Sequence, residues 1–115
     1  MTELVLRLQY SYLCKLIDRI YKIIPLKEEC SDSIETYVDG LIAEILGNSE
    51  LINSIDYDAR VMIIVSTLRS VVKCDEHSKY RKNVFKCIRY IEQLKDTVSE
   101  ELSKCVNNGK FMINS

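Results

Sequence analysis

The chain has few of the residues that enzyme sites and β folds most often need. It contains 3 glycines, 1 proline and 1 histidine in 115 residues. Little glycine and proline leaves little material for phosphate-binding loops or for the tight turns of a many-stranded sheet. A single histidine excludes two-histidine metal sites and most histidine relays within one chain. We therefore expect an all-helical binding protein, not an enzyme, with no catalytic residues and no cofactor.

An excess of charge of one sign is also missing. The 16 Lys and Arg residues balance 17 Asp and Glu residues, which gives a net charge of −1. Capture of nucleic acid or of an anionic membrane needs clustered positive charge, so this balance predicts neither partner. The longest apolar run, Val61 to Val65, is far too short for a membrane anchor, and the charged N-terminal stretch does not read as a secretory signal. We expect a soluble, intracellular protein.

The cysteines do not form a disulfide or zinc pattern. An odd number without a signal peptide favours a reducing compartment, and the five are Cys14, Cys30, Cys74, Cys87 and Cys105. Cys74, His77 and Cys87 suggest a zinc site, but no C-x-x-C pair completes the four ligands that zinc requires. Free thiols packed as small hydrophobic groups are the better interpretation, and no metal is expected.

Apolar residues recur at spacings of three and four along most of the chain, which is typical of amphipathic helices. The predicted helices cover residues 4–24, 32–47, 48–55, 58–73 and 78–109. Pro25 should end the first helix, a capping box of Asp32 and Glu35 should start the second, and Gly109 should stop the last. Gly40, inside the second helix, costs about 1 kcal/mol relative to alanine, and either a close neighbouring helix or a kink would explain it. We expect one domain over residues 1–109 and a flexible tail over 110–115.

The segment from Val61 to Val65 is apolar on every side, which indicates a helix surrounded by other helices. A buried β-strand is the competing interpretation of those five residues. The helix is preferred because Leu68 and Val71 continue the spacing of three and four without a turn residue. The predicted fold is therefore all-α, a compact bundle around a central buried helix at about residues 58–73.

One stretch of the last helix is rich in basic residues that could contact phosphate or an acidic partner. These are Lys79, Arg81, Lys82, Lys86 and Arg89. Because Asp75, Glu76 and Glu92 lie close in sequence, a solvated helix face is the favoured interpretation.

Arg60 lies in the first turn of the predicted central helix, where the helix dipole disfavours a cation. One explanation is an ion pair with Asp56 or Asp58. The other is presentation of the guanidinium at the lip of a groove, where it would meet a partner's carboxylate in a bidentate contact. The sequence alone favours neither.

The segment from Glu50 to Arg60 resembles the first homology region of the B-cell lymphoma 2 (Bcl-2) family, which reads E-L-F-x-x-G-x-N-W-G-R before a buried apolar helix. Glu50, Leu51 and Arg60 match, and Ile52 replaces the aromatic residue. The family's first Gly, its Asn, its Trp and its second Gly are replaced by Ile55, Tyr57, Asp58 and Ala59. The divergence and the small size are most similar to the poxvirus members.

The resemblance implies a Bcl-2-like bundle with a surface groove for the amphipathic death-motif helix of pro-apoptotic host proteins. In this mode apolar anchors fill pockets and one aspartate of the ligand pairs with the groove arginine. One wall would consist of Glu50, Leu51, Ser54, Tyr57, Ala59, Arg60 and Ile63. The other wall, chosen from helix periodicity, would consist of Val38, Ile42 and Leu46.

Three functions remain open on the sequence. The first is a viral inhibitor of host apoptosis that sequesters death-motif helices, located in the host cytoplasm or at mitochondria through partners. The second keeps the Bcl-2 fold but inhibits innate immune signalling toward NF-κB through other surfaces, in some relatives as a homodimer, and a filled groove would favour it. The third is an unrelated small helical phage inhibitor or bacterial immunity protein.

Overall fold

A computed structural model describes residues 3–29, 32–48 and 55–114, with side chains described over 3–29, 32–48 and 59–106. Five helices and no strand occur in these residues, so the predicted all-α class is confirmed. The helices are α1 (Glu3–Tyr21), α2 (Ile23–Glu28), α3 (Ile34–Gly47), α4 (Ile55–Lys73) and α5 (His77–Asn114). Most of the short helix predicted at 48–55 lies outside the described residues.

The break between α1 and α2 lies upstream of Pro25, not at it. A proline ring displaces the carbonyl of the residue four positions earlier, and here that residue is Tyr21, where α1 ends. Lys22 stays near helical geometry, and α2 runs through Pro25 to Glu28. The predicted end at residue 24 is therefore wrong, because proline is tolerated in the first turn of a new helix.

Helix α3 begins without the predicted capping box and ends at Gly47, as predicted. It starts at Ile34 after Ser33, whose side chain makes no cap hydrogen bond, so the capping box of Asp32 and Glu35 is not formed. At the other end the backbone N–H of Asn48 donates to the carbonyls of Glu44 and Leu46. A side chain at Gly40 would meet no atom within 4 Å, so that glycine does not mark a close helix contact.

The helices form an antiparallel bundle. The Tyr21 and Phe85 rings lie 5.9 Å apart, and the Lys95 Nζ lies 5.9 Å from the Tyr10 ring, so α1 and α5 run in opposite directions. The Tyr37 hydroxyl donates to the Arg19 carbonyl at 2.7 Å, which brings the start of α3 beside the end of α1. The Lys27 Nζ, just after the end of α1, donates to the Val72 carbonyl in the last turn of α4, so α4 ends beside the end of α1 and consecutive long helices alternate up and down.

The core is one continuous cluster to which all five helices contribute. Helix α5 packs against α1, α2 and α4, whereas α4 packs against α3 and α5. Helix α4 occupies nearly the predicted range, but Met62 is 64% exposed and Ile63 is 39% exposed. The predicted burial of this helix on all sides is therefore wrong, and α5 has more helical neighbours. The inner face of α5 contains Val84, Cys87 and Ile91, which are all fully buried.

The molecule measures 59 × 22 × 20 Å, and α5 sets its long dimension because 38 residues span roughly 57 Å at 1.5 Å each. The predicted helix stop at Gly109 is wrong, because α5 continues to Asn114. Asparagine and glycine only weaken a helix, by about 1 kcal/mol for glycine, and do not by themselves end one. The domain limit at residue 109 and the flexibility of the tail stay predictions.

Candidate functional site: the exposed face of α4

Three residues of the first predicted groove wall lie together on an accessible side of α4. Ala59 is exposed, Arg60 is half-buried and Ile63 is partly exposed. Spacings of three and four residues place side chains on the same helix face, so these three are neighbours. We call them the motif face. It combines an apolar surface with one cation, which is the chemistry that an apolar and acidic ligand helix needs.

The charge on Arg60 is not neutralised within the described part of the chain. Its guanidinium has neither an ion-pair partner nor a hydrogen-bond acceptor among those residues. The side chains of Asp56 and Asp58, proposed above as structural partners, lie outside the described residues. Over residues 59–73 the sequence has three basic residues and no acidic residue, so the exposed side of α4 carries net positive charge.

The exposed side of α4 continues beyond the motif face toward the end of the helix. A shallow depression there is lined by Met62, Val65, Ser66, Arg69, Ser70 and Lys73. Its lining comes from one helix only, so it is a surface feature and not a groove between two walls. Small serine side chains leave the apolar Met62 accessible from outside.

The other residues of the predicted groove are distributed differently. Val38 is fully buried and Ile42 is 5% exposed, so both belong to the core and neither lines an open surface. Leu46, one turn further along α3, is 41% exposed. Glu50, Leu51 and Ser54 lie outside the described residues, and Tyr57 belongs to α4 with its side chain outside the description. The structure therefore brings together Ala59, Arg60 and Ile63 only.

Polar side chains join α1 to α3 through contacts that the sequence patterns did not predict. Arg19 forms an ion pair with Glu44, and the Tyr37 hydroxyl donates to the Arg19 carbonyl at 2.7 Å. The Glu44 carboxylate raises the pKa of Arg19, while burial raises the pKa values of the Tyr12 and Tyr37 hydroxyls. Arg19 and Glu44 are 25 residues apart, so helix periodicity alone gives no signal for their pairing.

A second polar cluster joins α2 to the connection between α4 and α5. The Lys27 Nζ donates to the Val72 carbonyl at 3.1 Å and lies 3.7 Å from the Asp75 carboxylate. The His77 Nε2 lies 3.1 Å from the Glu28 carboxylate. These side chains line a surface pocket together with Tyr80. His77 is therefore paired with a carboxylate of α2.

The three residues considered for zinc do not converge. The Cys87 thiol is buried and contacts the Ile64 carbonyl at 3.8 Å, and burial raises its pKa to about 12. The Cys74 thiol contacts the Glu76 carbonyl, and His77 pairs with Glu28. No group of three or more possible metal ligands occurs within the part of the chain that the structure describes. Cys30 lies outside it.

Comparison with known proteins gives no relative from which a function could be transferred. No family model, no curated protein and no solved structure matches the chain. Among the described helices, none combines the length and the apolar character needed to cross a membrane.

Proposed function

We propose that the protein inhibits host apoptosis by capturing the amphipathic death-motif helix of pro-apoptotic proteins on the motif face of α4. The observation that carries the proposal is Arg60, a half-buried cation without an acidic partner among the described residues, beside the accessible Ile63. An aspartate of the ligand would pair with the guanidinium, and an apolar anchor would cover the Ile63 side chain. The resemblance of residues 50–60 to the first Bcl-2 homology region supports the same assignment.

Calorimetric titration with a panel of death-motif peptides tests this proposal. We expect submicromolar binding to some peptides and binding about 10- to 100-fold weaker for Arg60→Ala, which corresponds to about 1.5–3 kcal/mol for a charge-assisted hydrogen bond. The thermal stability of the variant should be nearly unchanged, because Arg60 has no described partner in the fold.

Arg69→Ala is the matched control. Arg69 belongs to the same helix, is exposed and also lacks an acidic partner in the described residues, but it lies outside the motif face. Equal weakening by both substitutions would point to general charge attraction and contradict a specific contact at Arg60. Unchanged binding by Arg60→Ala together with a large loss of stability would assign this arginine a structural role.

A second candidate is inhibition of innate immune signalling toward NF-κB through an outer surface. The burial of Val38 and Ile42 favours it, since a groove wall made of core residues leaves no open space for a ligand helix. The two candidates are separated by pairing the peptide titration with an NF-κB reporter assay in cells that express the protein. Reporter inhibition without binding to any peptide would favour the second candidate.

A further inference from the structure

Although the net charge of the whole chain is only −1, a segment at the start of α5 is strongly positive. Residues 79–89 contain five basic residues and no acidic residue. Arg81, Lys82, Lys86 and Arg89 are all exposed, and their spacing puts them on one side of the helix. We call these four the α5 basic face. It occupies a different helix from the motif face of α4.

The acidic residues close in sequence, Asp75, Glu76 and Glu92, form no ion pair with the α5 basic face in the described part of the chain. The Glu76 carboxylate pairs with Lys79 at 3.2 Å, and the Asp75 carboxylate lies 3.7 Å from Lys27. None of the four cations has an acidic partner within the described ranges 3–29, 32–48 and 59–106. Their charge is therefore available to an external anion.

An aromatic surface lies among these cations. Phe85 is 39% exposed although it is a large apolar side chain, and its ring packs edge-on against Tyr21 at 5.9 Å between centroids. The Arg81 guanidinium lies 5.5 Å from the Phe85 ring centroid. Tyr21 is itself exposed, so two ring surfaces and four cations share one accessible patch. Cations with interleaved aromatic rings are typical of surfaces that bind single-stranded nucleic acid.

We propose that the α5 basic face binds single-stranded nucleic acid, with its cations on phosphates and Phe85 against a base. Unpaired bases can stack on an exposed ring, whereas in a duplex they are stacked on each other and presented only in the grooves. An acidic protein segment would satisfy the cations but would leave Phe85 without a matching planar group. Residues 79–89 span roughly 15 Å of helix, which limits the direct contact to a few nucleotides.

Fluorescence anisotropy of the full chain with a labelled 15-residue oligothymidylate, measured over a range of salt concentrations, tests the proposal. Four phosphate contacts on a single strand predict a slope of log K against log salt of about −3. Lys82→Glu with Lys86→Glu should weaken binding at least tenfold and reduce the slope. Phe85→Ala should weaken binding about fivefold, at the low end for base stacking, and leave the slope unchanged.

The control is Lys15→Glu with Lys104→Glu, which changes the net charge equally at exposed sites outside the patch. If this control variant binds the oligonucleotide as tightly as the wild type, the proposal is supported. Equal losses in the two double variants would overturn it, as would the absence of saturable binding at low salt. If Phe85→Ala has no effect and a polyglutamate peptide competes as well as the oligonucleotide, the surface binds acidic protein instead.

Discussion

Replacing Lys27 with methionine tests how α2 stabilises the end of the bundle. The Lys27 side chain is only 8% exposed, and its Nζ donates to the Val72 carbonyl at 3.1 Å. Val72 lies in the last turn of α4, where backbone carbonyls have no partner within the helix. Lys27 also places its ammonium 5.3 Å from the centroid of the Tyr80 ring in α5. One side chain of α2 therefore joins α4 and α5.

The expected loss follows from these contacts. A hydrogen bond from a charged donor contributes about 1.5–3 kcal/mol, and a cation–π contact about 0.5–1 kcal/mol. The Asp75 carboxylate is fully exposed, so its pairing with Lys27 adds little. Removing a buried charge recovers part of this sum, and methionine keeps most of the apolar packing of the lysine stem. We expect Lys27→Met to lower the free energy of unfolding by about 2 kcal/mol, and Tm by roughly 8 °C.

Urea denaturation, monitored through the circular dichroism signal of the helices, measures this loss. Lys104→Met is the matched control, because Lys104 is exposed and lies 3.8 Å from Glu101 on the same helix. An exposed pair of this kind contributes less than about 0.5 kcal/mol. If Lys27→Met costs no more than the control, or stabilises the protein, the reasoning is refuted, and the cost of burying the ammonium outweighs its contacts.

Two further predictions concern α5 and α3. Because burial raises the pKa of Cys87 from 9.0 to about 12, the unfolded chain loses this proton first as the pH rises. The stabilisation should be complete below pH 9. Above it, the difference in free energy of unfolding between the wild type and Cys87→Ala should fall by about 1.4 kcal/mol per pH unit in urea titrations, because the partly buried Tyr12 and Tyr37 hydroxyls titrate in both proteins. A pH-independent difference between the two proteins would contradict this. Gly40→Ala should raise the free energy of unfolding by about 0.5–1 kcal/mol, because the added methyl group meets no atom within 4 Å, and a destabilised variant would show that α3 packs there.

Helix identity and approximate position could be predicted from the sequence because the apolar spacing is strong in each long segment. The start of α4 differs from the prediction by three residues and its end agrees, at Lys73. The helix boundaries predicted at Pro25 and Gly109 are wrong for local reasons. Proline displaces the carbonyl four residues earlier and is tolerated in the first turn of a helix, and a single glycine weakens a helix without ending it. Apolar residues on every side of the Val61–Val65 run predicted burial of α4, but such a run does not specify how many neighbouring helices cover it.

The motif face could be predicted because Ala59, Arg60 and Ile63 are close in sequence, and helix geometry alone makes them neighbours. The opposite wall of the groove could not be predicted, because apolar residues such as Val38 and Ile42 show the same helical spacing whether they face a groove or the core. The Lys27 cluster joins residues 45 and 49 positions apart, a pairing that only the tertiary fold determines. Sequence reasoning from one helix at a time has no access to such contacts.

The α5 basic face shows why overall charge is a poor guide to partners. A net charge of −1 averages over the whole chain, while an external anion interacts with the few charges that lie within about a Debye length of it, roughly 8 Å at physiological salt. Within residues 79–89 the local balance is positive, and the preceding acidic residues Asp75 and Glu76 pair with Lys27 and Lys79, outside the α5 basic face. Arg60 lies 13 residues before the end of α4, roughly 20 Å from the connection to α5, whereas Lys82 lies five residues into α5. The two surfaces therefore lie on different helices and at different positions along the bundle axis. The effects of substitutions at sites this far apart, with no shared partner, are expected to be additive in free energy. The proposed binding of a ligand helix at Arg60 and the proposed binding of nucleic acid at Lys82 can therefore be tested separately.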